Sequence, residues 1–202
     1  MSEPSGKRLK TGFPICKTHR TALGSRAKQN FPTVVEASVC GVTNFLLEVA
    51  YRLEALAKIF EQDDQALPHV AAFFQRESER EQERAEAMME YLNERGGQYC
   101  SKDIQRPGCE SVVAVLQALE LTLAQWKEAE GLMVELVQCA REGGDPHTAS
   151  VVKARFLRPL VPRVKALGDL LTSARKAGCS SQGPGGMGEY LFDQLQEGLS
   201  SA

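Results

Sequence analysis

The sequence lacks the features that define several large classes of protein. Its six cysteines form no C-x-x-C pair, no apolar stretch of signal-peptide length opens the chain, and no run reaches the length that a membrane span needs. Strand-like alternation of apolar and polar residues is also missing from the sequence, as is any internal repeat. We therefore expect free thiols in a reducing compartment, no membrane partner and an all-α chain.

The chain does contain enough apolar sequence for one folded domain. Its 202 residues are 43% hydrophobic, which suits a domain with a sizeable core plus a tail. The formal net charge of −2 conceals an asymmetry, because residues 1–30 hold seven Lys or Arg and one acid. The remainder holds 17 basic and 25 acidic residues. The sequence thus predicts a basic arm joined to an acidic body.

The arm carries a short basic cluster formed by Lys7, Arg8 and Lys10. Residues 1–31 mix Gly, Pro, Ser and charge without periodicity, so we interpret them as a flexible N-terminal arm. An exposed cluster of this kind is typical of a nuclear-import signal, which pairs with acidic residues of a carrier. The alternatives are a solubilising tail, a segment that binds DNA non-specifically and a mitochondrial transit peptide.

Apolar residues at helical spacing predict a four-helix bundle over residues 32–202. The long helices are expected at about 33–60, 68–94, 111–141 and 147–176, with a short fifth helix at about 187–196. Residues 97–110 contain no helical period and predict one long crossover, which changes the order of helix directions in a bundle. Pro159 and Pro162 lie inside the fourth helix, where we expect a pronounced kink.

A carboxylate-rich stretch of the second helix resembles half of a metal site without its histidine. Residues 77–86 read E-S-E-R-E-Q-E-R-A-E. A di-iron bundle uses Glu-x-x-His because residues three apart share a helix face and can hold one metal together. Here Glu81 is followed at that spacing by Arg84, which stays protonated and has no lone pair to offer. We predict a Glu81–Arg84 ion pair instead of a pair of metal ligands.

Six short motifs, taken together in order and spacing, resemble the ferritin family. They are D-D-Q-A-L at 63–67, N-E-R-G-G at 93–97, D-I-Q-R-P at 103–107, G-D-P-H at 144–147, L-G-D at 167–169 and E-Y-L-F-D at 189–193. The resemblance covers residues 27–198 and implies an all-α, ferritin-like four-helix bundle with one long crossover and a short fifth C-terminal helix. Within the family, the chain is most similar to a divergent homologue that carries ferritin to the nucleus.

The resemblance also implies the state of the iron-oxidising centre. Heavy-type ferritin subunits bind two irons inside the bundle through carboxylates and one histidine. The matching positions of this chain are Leu46, Glu81, Arg84, Trp126 and Leu160. Glu81 is the one retained ligand, and the indole of Trp126 takes the space that a metal pair would use. We therefore expect no catalytic residues, no ferroxidase activity and no iron bound at this centre.

Mineral nucleation is the other way in which this family handles iron. Light-type subunits nucleate mineral on glutamates of the second helix, and this leaves Glu81, Glu83 and Glu86 as residual metal candidates. Arginines interspersed among them weaken the local negative potential. An ordinary solvated helix face with ion pairs three or four residues apart is the simpler interpretation.

The shell channels of the family offer a further comparison. Ser150 and Lys153 match positions that line the three-fold channels, where a ring of three Lys would repel cations. Leu191 and Leu195 match positions of the four-fold channel and suit a closed apolar plug. Simple helix packing explains the two leucines equally well.

These observations favour a subunit without enzymatic activity. We expect it to co-assemble with active heavy-type ferritin subunits and to direct the mixed shell, with any stored iron mineral, to the nucleus. The expected partners are those subunits, a nuclear import carrier and non-specific DNA, and the expected location is nucleus and cytoplasm. The alternatives are an iron-storage subunit that retains a divergent iron-binding or ferroxidase site, and a mitochondrial ferritin-like protein.

Overall fold

Long helices account for most of the protein. The computed structural model describes residues 24–100, 103–109, 111–180 and 186–200, with side chains up to residue 195. The described helices are α1 (Thr33–Glu61), α2 (Pro68–Glu94), α3 (Val115–Glu142), α4 (Pro146–Val151), a π-helical segment (Val152–Leu157), α5 (Arg158–Lys176) and α6 (Met187–Ser200). No strand occurs in these ranges. The predicted all-α bundle with a short C-terminal helix is confirmed.

Loop length determines the order of helix directions. Short connections join α1 to α2 and α3 to α4, so the members of each pair run antiparallel as neighbours. Residues 95–114 join the two pairs. This connection must span the length of α2, whose 27 residues extend about 40 Å at 1.5 Å per residue. The predicted crossover is therefore present. The third helix starts at Val115 rather than at Ser111, because a turn from Cys109 to Val112 precedes it.

Three consecutive segments, α4, the π-helical segment and α5, make up the fourth long helix. Pro146 stands in the first turn and Asp145 caps it, with its side chain accepting from Thr148 N at 3.0 Å. The widened turn comes directly before Pro159, and Arg158 N–H donates to Lys153 O across five residues. Helix α5 continues through Pro162. The expected irregularity is thus a π-helical turn before the prolines.

The core consists of two apolar clusters stacked along the bundle. One contains Phe60, Phe74 and Trp126, and the other contains Met88 and Met133. Along α2 the buried residues are apolar up to Phe74, polar at Glu77, Ser78 and Glu81, and apolar again from Ala85. A buried polar layer therefore separates the two clusters at mid-helix.

Helix α1 is central to both clusters. Among the described helices it is the one long and apolar enough to cross a membrane by length and composition, contrary to the sequence-based expectation that no run reaches that length. Within the bundle, 72% of its most apolar 18-residue stretch is buried. This burial is that of a core helix.

The described end of the N-terminal arm is held against the bundle. Arg95 donates to Asn30 O at 2.9 Å and to Gln29 O at 3.3 Å, and its guanidinium lies 4.7 Å from the Phe31 ring centroid. Gly96 has φ +68, and a Cβ there would lie 2.3 Å from Ser25 Oγ, so only glycine allows this approach. Within residues 24–31, interpreted above as part of a flexible arm, Phe31 is buried and Gln29 and Asn30 are hydrogen-bonded to Arg95, although most of the segment is exposed. Residues 1–23 lie outside the described ranges.

Helix α6 is tied to the bundle by two buried carboxylates. Asp193 Oδ1 accepts from the backbone N–H groups of His69 and Val70, both at 2.9 Å. Glu189 Oε1 accepts from Val115 N at 2.8 Å. The short helix thus satisfies unpaired donors at the N-termini of both α2 and α3, with charges suited to the helix dipoles.

Candidate functional site

The buried polar layer of α2 is built from glutamates one turn apart. Glu77 and Glu81 share a face of the helix, and their exposed fractions are 4% and 1%. Arg84, three residues after Glu81, donates to both of its carboxylate oxygens, at 3.0 and 3.1 Å. This is the ion pair predicted from the sequence. Arg84 also donates to the Phe156 carbonyl at 3.1 Å, which ties α2 to the π-helical segment.

A second arginine enters this layer from α5. Arg163 Nη2 lies 2.5 Å from Glu77 Oε2, and Arg163 Nη1 lies 2.8 Å from Glu81 Oε1. Its guanidinium carbon lies 4.4 Å from the centroid of the Trp126 ring on α3. Arg163 therefore joins three helices, by a charge-assisted hydrogen bond to Glu77, an ion pair with Glu81 and a cation–π interaction with Trp126.

Arg80 completes the group by binding Glu77 Oε1 at 2.5 Å. We refer to Glu77, Arg80, Glu81, Arg84 and Arg163 as the ion-pair cluster. It contains three guanidinium groups and two carboxylates, so its side chains carry one excess positive charge when all are ionised. Burial lowers the pKa of Arg84 from its usual value, and the nearby charge of Arg163 lowers it further against the opposing effect of Glu81.

The arrangement does not fit a pair of iron ions. Leu46 and Leu160 have no exposed surface and lie in the apolar clusters, and Trp126 is 3% exposed. Iron requires oxygen and imidazole ligands that converge from several helices, whereas α5 presents a guanidinium here. Across the described ranges, no three His, Cys, Asp or Glu side chains lie close enough together to hold a metal ion.

Comparison with known proteins identifies the bundle. The family model described as a ferritin-like domain matches residues 42–177. The middle-subunit ferritin of Aquarana catesbeiana is 33% identical over 170 residues, which are 84% of this chain and 95% of that protein. The chain belongs to the ferritin family. Soma ferritin of Lymnaea stagnalis is likewise 33% identical over 178 residues, 88% of this chain and 98% of that protein.

The remaining predicted positions of this ferritin-family chain lie apart from the ion-pair cluster. Glu83 and Glu86 are exposed on α2, away from the buried face that holds Glu81. Ser150 and Lys153 are exposed on α4 and the π-helical segment. Leu191 and Leu195 are 46% and 64% exposed on α6. Lys7, Arg8 and Lys10 lie outside the described residues.

Sequence reasoning missed the contribution of Arg163. A signal for it was present, because residues 160, 163 and 167 lie on one face of a helix and residues 160 and 167 are leucines. An arginine on an otherwise apolar face predicts a buried cation that needs acidic partners. The surplus of glutamates on the second helix supplies those partners.

Proposed function

We propose that this ferritin-family subunit has no working ferroxidase centre and acts as a carrier within mixed shells. In this proposal it co-assembles with active heavy-type subunits and directs the shell, with the iron it stores, to the nucleus. This role would make it similar to ferritoid, a divergent ferritin homologue that carries ferritin to the nucleus. Iron is cargo in such a shell and is present only as stored mineral.

The ion-pair cluster is the observation that carries the first half of this proposal. Ferroxidase chemistry needs Fe(II) and oxygen to meet at carboxylate and imidazole ligands. Here Arg84 and Arg163 occupy the carboxylate oxygens of Glu81, and their charges repel Fe(II). Purified chain should therefore oxidise Fe(II) in air no faster than buffer does, as followed by absorbance of the ferric product. A rate well above that of buffer would contradict the proposal.

The basic arm supports the second half. Lys7, Arg8 and Lys10 form a cluster of the type that import carriers recognise, and residues 1–30 hold seven basic residues against one acid. Gln29 and Asn30 accept hydrogen bonds from Arg95 at one end of α2, which fixes the described end of the arm on the bundle. Many arms on one shell would raise the avidity for a carrier.

Co-expression with a fluorescently tagged heavy-type ferritin subunit tests both halves. We expect size-exclusion chromatography to show mixed shells, and microscopy to show nuclear heavy chain only when Lys7, Arg8 and Lys10 are intact. A matched control replaces the exposed Lys127, Arg158 and Lys176 by glutamine, which removes the same charge from the body. Separate, iron-loading shells that stay in the cytosol would reject the proposal, and arm cleavage in mitochondria would favour the alternative location.

A further inference from the structure

A cavity of about 240 Å³ opens beside the ion-pair cluster, among α2, α3 and α5. One wall is apolar and consists of Phe73, Leu167 and Leu170. The opposite wall is polar and includes Arg80, Trp126 and Arg163. Such an amphipathic cavity offers an apolar surface and a few convergent polar groups, which is the usual composition of a small-molecule site.

Two N–H groups of the polar wall have no acceptor among the described residues. They are Trp126 Nε1, on a side chain that is 97% buried, and Arg163 Nε. A buried donor left without an acceptor is destabilising, because it has lost its hydration without gaining a partner. A ligand that places an acceptor oxygen against these groups would remove that destabilisation.

The charge of the surroundings indicates which acceptor is favoured. The ion-pair cluster holds three guanidinium groups against two carboxylates, and Arg80 and Arg163 both line the cavity. Glu77 also lines it and opposes an anion, but Arg80 and Arg163 already bind both of its oxygens. A carboxylate matches the planar guanidinium geometry and would neutralise the excess charge.

We propose that this cavity binds a small carboxylate that carries an apolar body. The carboxylate lies against Trp126 Nε1 and Arg163 Nε, and the apolar body contacts Phe73, Leu167 and Leu170. The cavity lies beside the positions that match the iron centre of the family and shares Trp126 with them. This proposal is independent of nuclear transport and of shell composition.

Trp126 is the only tryptophan in the chain, so its fluorescence reports on this site directly. Titration of the purified full-length chain with benzoate should change the emission along a saturating curve. Benzamide has the same shape without the charge and should bind at least about tenfold more weakly, a difference of about 1.4 kcal/mol. Equal responses to the two compounds, or a linear response to benzoate, would overturn the proposal.

Three variants locate the binding. Ala166→Phe fills the mouth of the cavity with a side chain and leaves the ion-pair cluster intact, so benzoate binding should fall at least about tenfold while the melting temperature stays close to that of the unchanged chain. Arg163→Gln should also abolish binding. Arg175→Gln, on the same helix but bound to the exposed Glu120, should bind benzoate normally.

Inorganic phosphate separates this proposal from a general anion site. Phosphate carries charge without an apolar body, so it should compete with benzoate only weakly. Phosphate binding as tight as that of benzoate would overturn the assignment to an apolar carboxylate. Undiminished benzoate binding by the folded Ala166→Phe chain would overturn the location.

Discussion

Buried charge defines the chemistry of this protein at the scale of single residues. Glu81 is 1% exposed, and burying a carboxylate is costly unless cations compensate for its lost hydration. Arg84 and Arg163 provide that compensation from two different helices. In a metal-binding ferritin subunit, iron ions would carry the compensating charge. In this chain the arginine side chains supply the charge that compensates for the buried carboxylate.

Removal of Arg163 should be strongly destabilising. Arg163→Met leaves Glu77 and Glu81 with less compensation, and we expect a loss of about 2–3 kcal/mol in the free energy of unfolding. This loss is smaller than that expected for a fully buried ion pair, because the Arg163 side chain is 20% exposed and solvent screens its charge. Urea denaturation provides the measurement. Arg175→Met, which breaks the exposed pair with Glu120, should change stability by less than about 1 kcal/mol.

Arg163 also determines whether an iron centre can be rebuilt. Leu46→Glu, Arg84→His, Trp126→Glu and Leu160→Gln together restore oxygen and imidazole ligands, yet the guanidinium of Arg163 would still occupy Glu81. We expect Fe(II) oxidation to rise above buffer only when Arg163→Ala is added to these four changes. The rate of oxygen consumption by both variants would show this. Full activity of the variant that carries the four ligand changes but keeps Arg163 would disprove a blocking role for Arg163.

The sequence predicted part of this site. The Glu81–Arg84 pair follows from spacing within one helix. The assignment of positions 46, 126 and 160 to a former iron centre stays a prediction from residue type. The bridge from Arg163 depends on how α5 packs against α2 and α3, which local periodicity does not specify. The cavity beside Arg163 also depends on how α2, α3 and α5 pack together. Contacts between distant segments are the part that one sequence could not supply.

At the scale of helices, stability depends on how their ends are satisfied. The first N–H groups of a helix have no partner within it, and side chains or neighbouring segments must accept from them. Asp145 performs this role locally for α4, whereas Glu189 and Asp193 perform it from α6 for α3 and α2. The E-Y-L-F-D motif of the sequence is thereby explained as a pair of caps four residues apart.

Asp193→Ala should loosen α6 and the start of α2 together. The backbone N–H groups of His69 and Val70 lose their acceptor, and we expect a loss of about 1–2 kcal/mol in stability. Hydrogen exchange at these two amides should accelerate more than exchange at mid-α2. Tyr190→Ala, at an exposed position of the same helix, serves as the control. Unchanged exchange in the Asp193 variant would show that α6 does not cap α2.

Asp145 should make stability depend on pH in the acid range. Burial by itself raises the pKa of Asp145, but hydrogen bonds from Thr148 and the charge of Arg95 outweigh it and hold the pKa below 3.8. A carboxyl group whose pKa is depressed in the folded protein stabilises the fold at pH values above the pKa it has in the unfolded chain. This contribution is lost as the pH falls through the pKa of the folded state. Asp145→Asn keeps an acceptor for the helix end but loses the charge.

This variant should therefore be less stable than the unchanged chain at pH 7, and the difference should shrink as pH falls below about 3.8. Thermal unfolding followed by circular dichroism across pH 2–7 would measure it. Asp169→Asn, at an exposed carboxylate paired with Lys165, should show little difference at any pH. A constant deficit at all pH values would mean that the charge of Asp145 has no part in stability.

The helices themselves were largely predictable. Apolar periodicity located four long helices and the short fifth one, and the unpatterned stretch after Gly97 located the crossover. The π-helical turn before Pro159 was not predictable in detail, because Pro159 and Pro162 indicate only that backbone donors are missing. Within this turn the Phe156 carbonyl accepts from Arg84 of another helix, a contact that local sequence does not specify.

At the scale of the whole molecule, charge is divided between the arm and the body. Residues 1–30 hold seven basic residues and one acid, and the rest of the chain has more acids than bases. A positively charged segment binds polyanions by releasing their counterions, whereas an acidic surface repels them. Where many copies of the arm extend from one assembly, weak individual contacts add up to strong binding.

Assemblies that contain this chain should consequently bind duplex DNA without sequence preference at low salt. Replacing Lys7, Arg8 and Lys10 by glutamine should weaken binding and reduce the slope of log K against log salt by about 0.9 for each lost phosphate contact. Electrophoretic mobility shifts over a salt series give that slope. The body variant with glutamine at Lys127, Arg158 and Lys176 has the same net charge, and its slope should stay unchanged because DNA contacts the arm. Equal losses in both variants would show that net charge, rather than the arm, controls DNA binding.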